Sequence, residues 1–549
     1  MLNLSPPCSR RVVSRRRRSR SALVGVAAVA ALAVTALTAP PAGAANARHV
    51  GAPGAAGFVQ RISWTSSSPA AGVMLLSGTY HNTSEHPYWT DTIQAPTVSP
   101  FSGSAELAEA GTAAWARTTE AALTAKGFTR SATTVQWPNY TDDPRGRLGT
   151  LVRVGAFASQ AQAQTNATAL TSAGFSPLVE WTGYDPTSVP DAELLNVAII
   201  NPRTFAGRVV VDHGSAIASK QTVPDASAAL DSIAATNAGF FTIDTPLAAV
   251  NGVNTGISVY NGQLESLTNG NRAALVLDGH RTAKIENLTT TATLTAGRSS
   301  TRVMGINRLP GSAEDCGVLG FTPTSRPQQN TLCTGTNDLV LFTPQFGATL
   351  PTNTSRSAIQ VTLSRYDTVV SIGAPGGTPP AGDSAIQAIG SQAAWVSKHL
   401  QLGDRVTIGE HVRTASGAPV PLDPNMSIAS AAPMLLQHGH TAIDAVNEGV
   451  LDPRDLNDYT FSAYRHTRTF VGIDTRGRLL LITADGIPGI SEGLTLTEEA
   501  DVMRSLGAVD AMNLDGGGST EFAADSELIN DASSSPLRPV GGTIQILAQ

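Results

Sequence analysis

Asn513, Leu514, Asp515, Gly516, Gly517, Gly518, Ser519 and Thr520 follow one another directly after a short apolar run. Three consecutive glycines are costly to order. They offer bare backbone N–H groups beside a carboxylate, an arrangement suited to an anionic oxygen. The alternative is a tight turn, where glycine is the usual residue. A second aspartate, Asp485, closes the apolar run 479–482 in the sequence Thr483-Ala484-Asp485-Gly486. Two carboxylates at two strand ends could share one cleft and divide acid and base roles. Each could instead cap its own turn.

The elements that must carry these groups are legible nearby. Thr495-Leu496-Thr497-Glu498-Glu499 reads as a capping-box helix start, with Leu496, Ala500, Met503 and Leu506 on one face and Gly507 as its stop. Residues 508–514 then read as a buried strand that places Asp515 at its carboxyl end.

Taken in order, several of these segments resemble the signature of the phosphodiester glycosidase family. They are 468–486 (RTFVGIDTRGRLLLITADG), the helix, the NLDGGGST turn and 537–540 (LRPV). Further back, Thr236-Asn237-Ala238-Gly239-Phe240-Phe241 is similar to the family's NGGFF motif, and Gly256-Ile257-Ser258-Val259-Tyr260-Asn261-Gly262 to the hairpin after it. Members include an enzyme that removes N-acetylglucosamine from a phosphodiester. The resemblance covers roughly 190–549; Ala238 stands where the family usually has glycine, and Thr467 where proline is common before the arginine.

The resemblance implies Asp515 and Asp485 as catalytic residues. Arg468, Arg538, Asn237, Asn513, Gly516, Gly517, Gly518 and Ser519 follow as substrate-binding residues. A phosphate ester is already a good leaving group, so stabilising its charge with arginine or backbone amides matters more than strong proton donation. The competing readings are a strand-edge salt bridge for the arginines and a loop brace for Asn237 and Asn513. Ser519 has no histidine or lysine base in its motif, which argues against serine catalysis. His438-Gly439-His440 lacks a metal-ligand pattern and reads as surface, whereas His466 stands close enough to the signature to border the cleft. No cofactor is implied; the alternative is a calcium ion held by Asp485, Asp515 and backbone carbonyls.

Residues 1–20 hold seven arginines and no acid, 22–37 are apolar, and Ala42-Gly43-Ala44 or Ala45-Asn46-Ala47 offers a cleavage site. Segment 1–47 therefore reads as a secretory signal peptide, with a twin-arginine signal at Ser9-Arg10-Arg11-Val12-Val13 as the alternative. The apolar run is too short for a membrane span. Losing those seven charges moves the formal balance from −6 to −13, which argues against nucleic acid or an anionic membrane surface as partner. Cys8 leaves with the leader. Cys316 and Cys333, 17 residues apart in an exported chain, are then expected to form a disulfide, with two free thiols as the alternative.

Ala122-Leu123-Thr124-Ala125-Lys126-Gly127-Phe128 recurs 47 residues later as Ala169-Leu170-Thr171-Ser172-Ala173-Gly174-Phe175. Each copy ends a helix-like stretch and precedes a strand-like one, at 133–137 and 177–181, and 151–157 reads as a further strand. Residues 86–185 thus form a βαββαβ unit. It resembles a SPOR domain, which implies peptidoglycan binding; the alternative is a structural unit with no ligand.

The expected fold class is α+β, with mixed β-sheets and helices in a glycosidase domain at 190–549 and the small SPOR-like module at 86–185. Residues 48–85 supply a linker and room for the first strands of the catalytic fold. Whether the module is inserted or appended depends on whether 73–79 and 89–95 pair with the entry strand 195–202. The expected function is an exported or cell-wall glycosidase that hydrolyses sugar-1-phosphodiesters of envelope glycopolymers. The alternative is a non-catalytic cell-wall glycan-binding protein.

Overall fold

The computed structural model describes residues 56–549, apart from 83–85, 100–102, 244–246, 280–281, 348 and 354–356. The expected leader, its cleavage sites and Cys8 lie outside the described residues.

The longest apolar runs build the centre. Strands Ala192–Ile200, Leu479–Ala484 and Arg468–Asp474 are almost or entirely buried, as expected of strands covered on both faces. They lie in an eight-stranded sheet whose spatial order is Ser63–Ala70, Val73–His81, Ala192–Ile200, Leu479–Ala484, Arg468–Asp474, Ala508–Asn513, Met434–Gln437 and His440–Thr441. Every neighbouring pair in it is antiparallel. A five-stranded sheet carries Ser232–Asn237 and Thr543–Leu547 side by side. Two further sheets enclose a second core, and one of these contains the short parallel pairing of Gly305–Ile306 with Asp338–Phe342. Strands dominate and helices are few, consistent with the α+β class.

Register decides where residues 86–185 sit. Val73 pairs with Ile200 and His81 with Ala192, so the chain leaves and re-enters the central sheet on adjacent strands. The intervening segment is an insertion. Trp89–Ile93 belongs to it rather than to the central sheet, pairing with Arg147–Phe157 and Pro177–Trp181.

Within the insertion, helices Ala113–Ala125 and Gln160–Ser172 alternate with strands in βαββαβ order, and the four-stranded sheet runs Arg130–Gln136, Arg147–Phe157, Trp89–Ile93, Pro177–Trp181. Ile93, Val152 and Val154 meet Ala116, Leu123 and Leu170 on the helical face. The repeated glycines follow the two helices at φ +82° for Gly127 and +89° for Gly174, the left-handed stop that glycine adopts without strain.

The opposite face of the small sheet carries Arg153, paired with Asp185 at 2.5 Å and with Glu180 at 3.7 Å. It closes on the segment around helix Leu456–Ala463. Tyr464 donates its hydroxyl to the buried Glu109 carboxylate, and Tyr140 donates to the Ser462 carbonyl. Arg465, wholly buried, donates to the Asp185 carbonyl at 2.8 Å and the Ser188 carbonyl at 2.6 Å, and pairs with Glu498 at 2.8 Å.

Cys316 and Cys333 form a disulfide across 17 residues, and both are buried beside Phe321. Closing such a loop is worth about 3 kcal/mol in the chain-entropy estimate. Cys333→Ser should lower the thermal midpoint measured by calorimetry, and an unchanged midpoint would show the loop to be held by its packing alone.

Candidate active site

Helix Leu496–Ser505 begins with the full capping box, Thr495 and Glu498 satisfying each other's backbone N–H groups. Its apolar face, with Leu496, Ala500 and Met503, is buried, and strand Ala508–Asn513 follows Gly507. That strand and Leu479–Ala484 flank Arg468–Asp474 on opposite sides, both antiparallel to it. They therefore run parallel to each other, and their carboxyl ends emerge at the same edge of the sheet. Asp485 and Asp515 are the residues that emerge there, with Thr467 and Arg468 between them. Two strand spacings put their backbones about 10 Å apart.

The glycine turn is held from three directions. Asp515 N donates to Ala238 O at 3.1 Å, Leu514 N to Thr469 O at 2.8 Å and Gly517 N to Thr467 O at 2.8 Å. Each glycine has its own reason. Gly517 has φ +56°. A Cβ on Gly516 would stand 2.9 Å from Thr467 O, and one on Gly518 2.6 Å from Arg538 Nη2. The glycines thus seat the turn against strand and guanidinium in addition to leaving space above it.

Arg538 lies against Gly518 of this turn, near enough for its charge to act on Asp515. Burial lifts the Asp515 carboxyl to about 6, drawn back by the Ser519 hydroxyl, the Arg538 charge and the Gly516 N–H, while the Asp315 charge pushes it up. Arg538 is half-buried and forms no carboxylate ion pair within 4 Å among the described residues. Asp485 is more deeply buried. It accepts from Asn530 Nδ2 at 3.0 Å and from Asp531 N at 2.8 Å, and burial lifts it to about 7 against those two bonds. Asn530 also donates to Thr520 O at 3.3 Å, which ties Asp485 to the end of the glycine turn.

Several expected ligand-binding residues are occupied. Arg468 is wholly buried: Nε donates to Leu494 O at 2.9 Å and lies 3.2 Å from Glu499, Nη2 donates to Phe461 O at 2.5 Å, and the guanidinium covers the Phe461 ring. A phosphate would have to compete with these partners, so the side chain braces the segment beneath the cleft. Burial pushes Glu499 up to about 8 although the Arg468 charge draws it down. Asn237 donates to Asp515 O at 2.7 Å and accepts from Thr469 Oγ1 at 2.7 Å, which spends its amide on the turn. Asn513 donates to Ala432 O at 2.6 Å, leaving its Oδ1 without a hydrogen-bond partner.

An aromatic wall stands beside the turn. Phe240 and Phe461 meet edge to face at 6.2 Å, Phe461 contacts His466, and His466 lies parallel to Tyr184. Burial and the Arg468 charge push the His466 imidazole down to about 3, so it is neutral at physiological pH. His438 and His440 are exposed and remote from this wall. Sequence reasoning missed Arg272 and Asp315, a buried pair at 2.7 Å whose guanidinium lies over Phe240 and whose carboxylate acts on Asp515. The available signals were a lone arginine opening an apolar strand and an acid directly before a disulfide cysteine.

A shared calcium suits this donor set poorly, since both Asp485 oxygens already accept protein N–H groups and the Arg538 charge acts on Asp515. Among the described residues no group of three or more His, Cys, Asp or Glu side chains could hold a metal ion.

Residues 357–547 match the family model for phosphodiester glycosidases. The mouse N-acetylglucosamine-1-phosphodiester alpha-N-acetylglucosaminidase is 32% identical over 111 residues, 20% of this chain and 21% of that protein. The chain thus aligns with about a fifth of that relative's length. The crystal structure of a protein of Burkholderia pseudomallei, whose export is assumed, is 27% identical with a TM-score of 0.77, covering 88% of this chain and 96% of the other. A hypothetical protein of Synechocystis shares the fold at 17% identity and a TM-score of 0.50, over 88% of this chain and 75% of its own. The matched span contains Asp485, Asp515, Arg538 and the whole glycine turn, and this agreement of motif with geometry supports the phosphodiester glycosidase family for residues 357–547.

Proposed function

We propose that this protein is an exported glycosidase that hydrolyses sugar-1-phosphodiesters of cell-envelope glycopolymers, of the N-acetylglucosamine-1-phosphate type. The observation that carries the reading is the half-buried Arg538 lying over Gly518 beside Asp515, a cation and a carboxylate at one strand end. In this reading the bond between the anomeric carbon and the phosphate oxygen breaks, water supplies hydroxyl to the sugar, and a phosphomonoester departs. Arg538 and the turn amides balance the charge on the departing phosphate. Asp515, ionised above about 6, stabilises the positive charge that develops at the anomeric carbon or activates the water. Asp485, lifted to about 7, supplies the second carboxyl and retains its proton at mildly acid pH. Phe461 and Phe240 give the apolar face of the sugar a wall to pack against.

The inserted domain, in this proposal, holds the enzyme to peptidoglycan, a role supported by its resemblance to SPOR domains and its βαββαβ order. Its helix-free face is closed by Tyr464 at Glu109, so glycan contact falls to the exposed edge strand Arg130–Gln136.

Incubation with a panel of N-acetylglucosamine-1-phosphodiesters should release free sugar. Asp515→Asn should abolish release, and Arg538→Ala should lower kcat/KM about a hundredfold. Full release by Asp515→Asn would remove the assigned chemistry, and no release by the native protein together with retained glycan binding would favour a receptor.

The pH profile follows from the two carboxyls. Below about 6 Asp515 takes up a proton and above about 7 Asp485 loses one, so kcat/KM should peak between them and fall about tenfold per pH unit on either side. Asp485→Asn should erase the alkaline limb only.

The intact chain should also co-sediment with purified peptidoglycan, and Arg130→Glu on the edge strand should weaken this without altering sugar release. Equal sedimentation by the variant would move the contact elsewhere.

A further inference from the structure

A second concavity lies behind the wall of the proposed cleft, with a volume of about 300 Å³, at the lower end of small-molecule sites. It opens between the loop that follows the hairpin Ser258–Tyr260 with Gln263–Ser266 and the disulfide-bearing segment around Glu314–Gly317. Thr255 lines the cavity and donates its hydroxyl to Asp315 at 2.8 Å, Asp315 pairs with Arg272 at 2.7 Å, and the Arg272 guanidinium lies over Phe240 in the aromatic wall. Asn269 staples the two halves of the wall by donating to the carbonyls of Thr255 and Glu314. Asp315 and Cys316 both adopt left-handed backbone, φ +58° and +51°, so the chain turns sharply where the disulfide anchors it.

The lining has the chemistry of a saccharide site. The Thr268 and Thr290 hydroxyls face each other at 3.1 Å and are oriented by each other's backbone N–H groups, which leaves a pre-arranged hydroxyl floor. Leu319, 66% exposed, stands at the rim as an apolar surface for the C–H face of a pyranose ring. Arg302 lines the same cavity from an exposed strand position and forms no ion pair among the described residues, whereas Arg308 beside it is committed to Asp338 at 2.6 Å. One uncommitted guanidinium above a floor of neutral hydroxyls matches a sugar that carries a phosphate.

We propose that this cavity is a distal subsite that binds the next phosphate-linked sugar of a polymeric substrate, with Arg302 on the linking phosphate and Leu319 against the ring. The assignment rests on the glycosidase reading of the neighbouring cleft and adds to it that the substrate is a polymer gripped on both sides of the Thr255–Asp315 wall.

Two substrates test it: the methyl diester of N-acetylglucosamine-1-phosphate, too short to cross the wall, and an oligomer of the same phosphate-linked units. Native protein should prefer the oligomer. Arg302→Glu should raise KM for the oligomer about tenfold, the loss of one charge-assisted contact, and leave kcat/KM for the methyl diester unchanged. Leu319→Glu, at an exposed rim position, should act in the same direction. Equal effects on both substrates, or on neither, would overturn the subsite. If the native protein cleaves neither compound the glycosidase reading fails, and calorimetry with the oligomer then decides the cavity by itself. Binding lost in Arg302→Glu supports a glycan-phosphate site, and no binding to the native protein overturns it.

Discussion

The Asn237 side chain is the joint on which the rest of the site hangs. It stands at the end of a strand in the five-stranded sheet, donates to the Asp515 carbonyl at 2.7 Å and accepts from Thr469, which belongs to the central sheet. A buried amide with both ends satisfied is rigid, and one with an end left open is costly. The turn that carries Asp515 is consequently fixed to two sheets at once. The direction of its carboxylate is set by the backbone and not by a flexible loop, which is the preorganisation that stabilising developing charge requires.

Buried arginines extend this frame outward. Arg468 occupies the space between the glycine turn and helix Leu496–Ser505, held by the carbonyls of Leu494, Phe461 and Tyr464 and by Glu499. Arg465, three residues earlier, reaches the other way, into the connection that leads out of the inserted domain, and shares Glu498 with the helix cap. Both charges are fully desolvated, so each is tolerable only with its partners in place. The helix, the aromatic wall and the insertion are thereby bound to one another. The insertion is therefore fitted to the body of the fold and is not a tethered accessory.

The same frame explains why the two carboxyls differ. Asp515 lies near a guanidinium and a hydroxyl, which oppose the effect of burial, whereas Asp485 has only neutral N–H donors and the nearby Asp531 charge. Similar groups at similar strand ends thus acquire different proton affinities from their neighbours. The disulfide loop adds Asp315 to this field and, through the Thr255 hydroxyl, joins it to the lining of the second cavity.

Local pattern determined much of this protein. The capping box and glycine stop marked helix Leu496–Ser505, the continuous apolar runs marked the central strands, and the repeated glycine ends marked the two helices of the insertion. The place of Asp515 and the glycine turn at the carboxyl end of a strand was also legible, because adjacent residues keep their local geometry without knowledge of the fold. Tertiary structure decided what depends on long-range pairing. The antiparallel register brought Asp485 and Asp515 to one edge, and the pairing of Val73–His81 with Ala192–Ile200 made the small domain an insertion. It also turned Arg468 and Asn237 inward, toward Glu499 and the turn, and paired Arg272 with Asp315 over Phe240. The physical reason is common to all of these. Residue type and spacing fix what a side chain can bond to, but the partner it bonds to lies tens or hundreds of positions away. Burial then leaves each buried charge and amide dependent on the partners that the fold supplies.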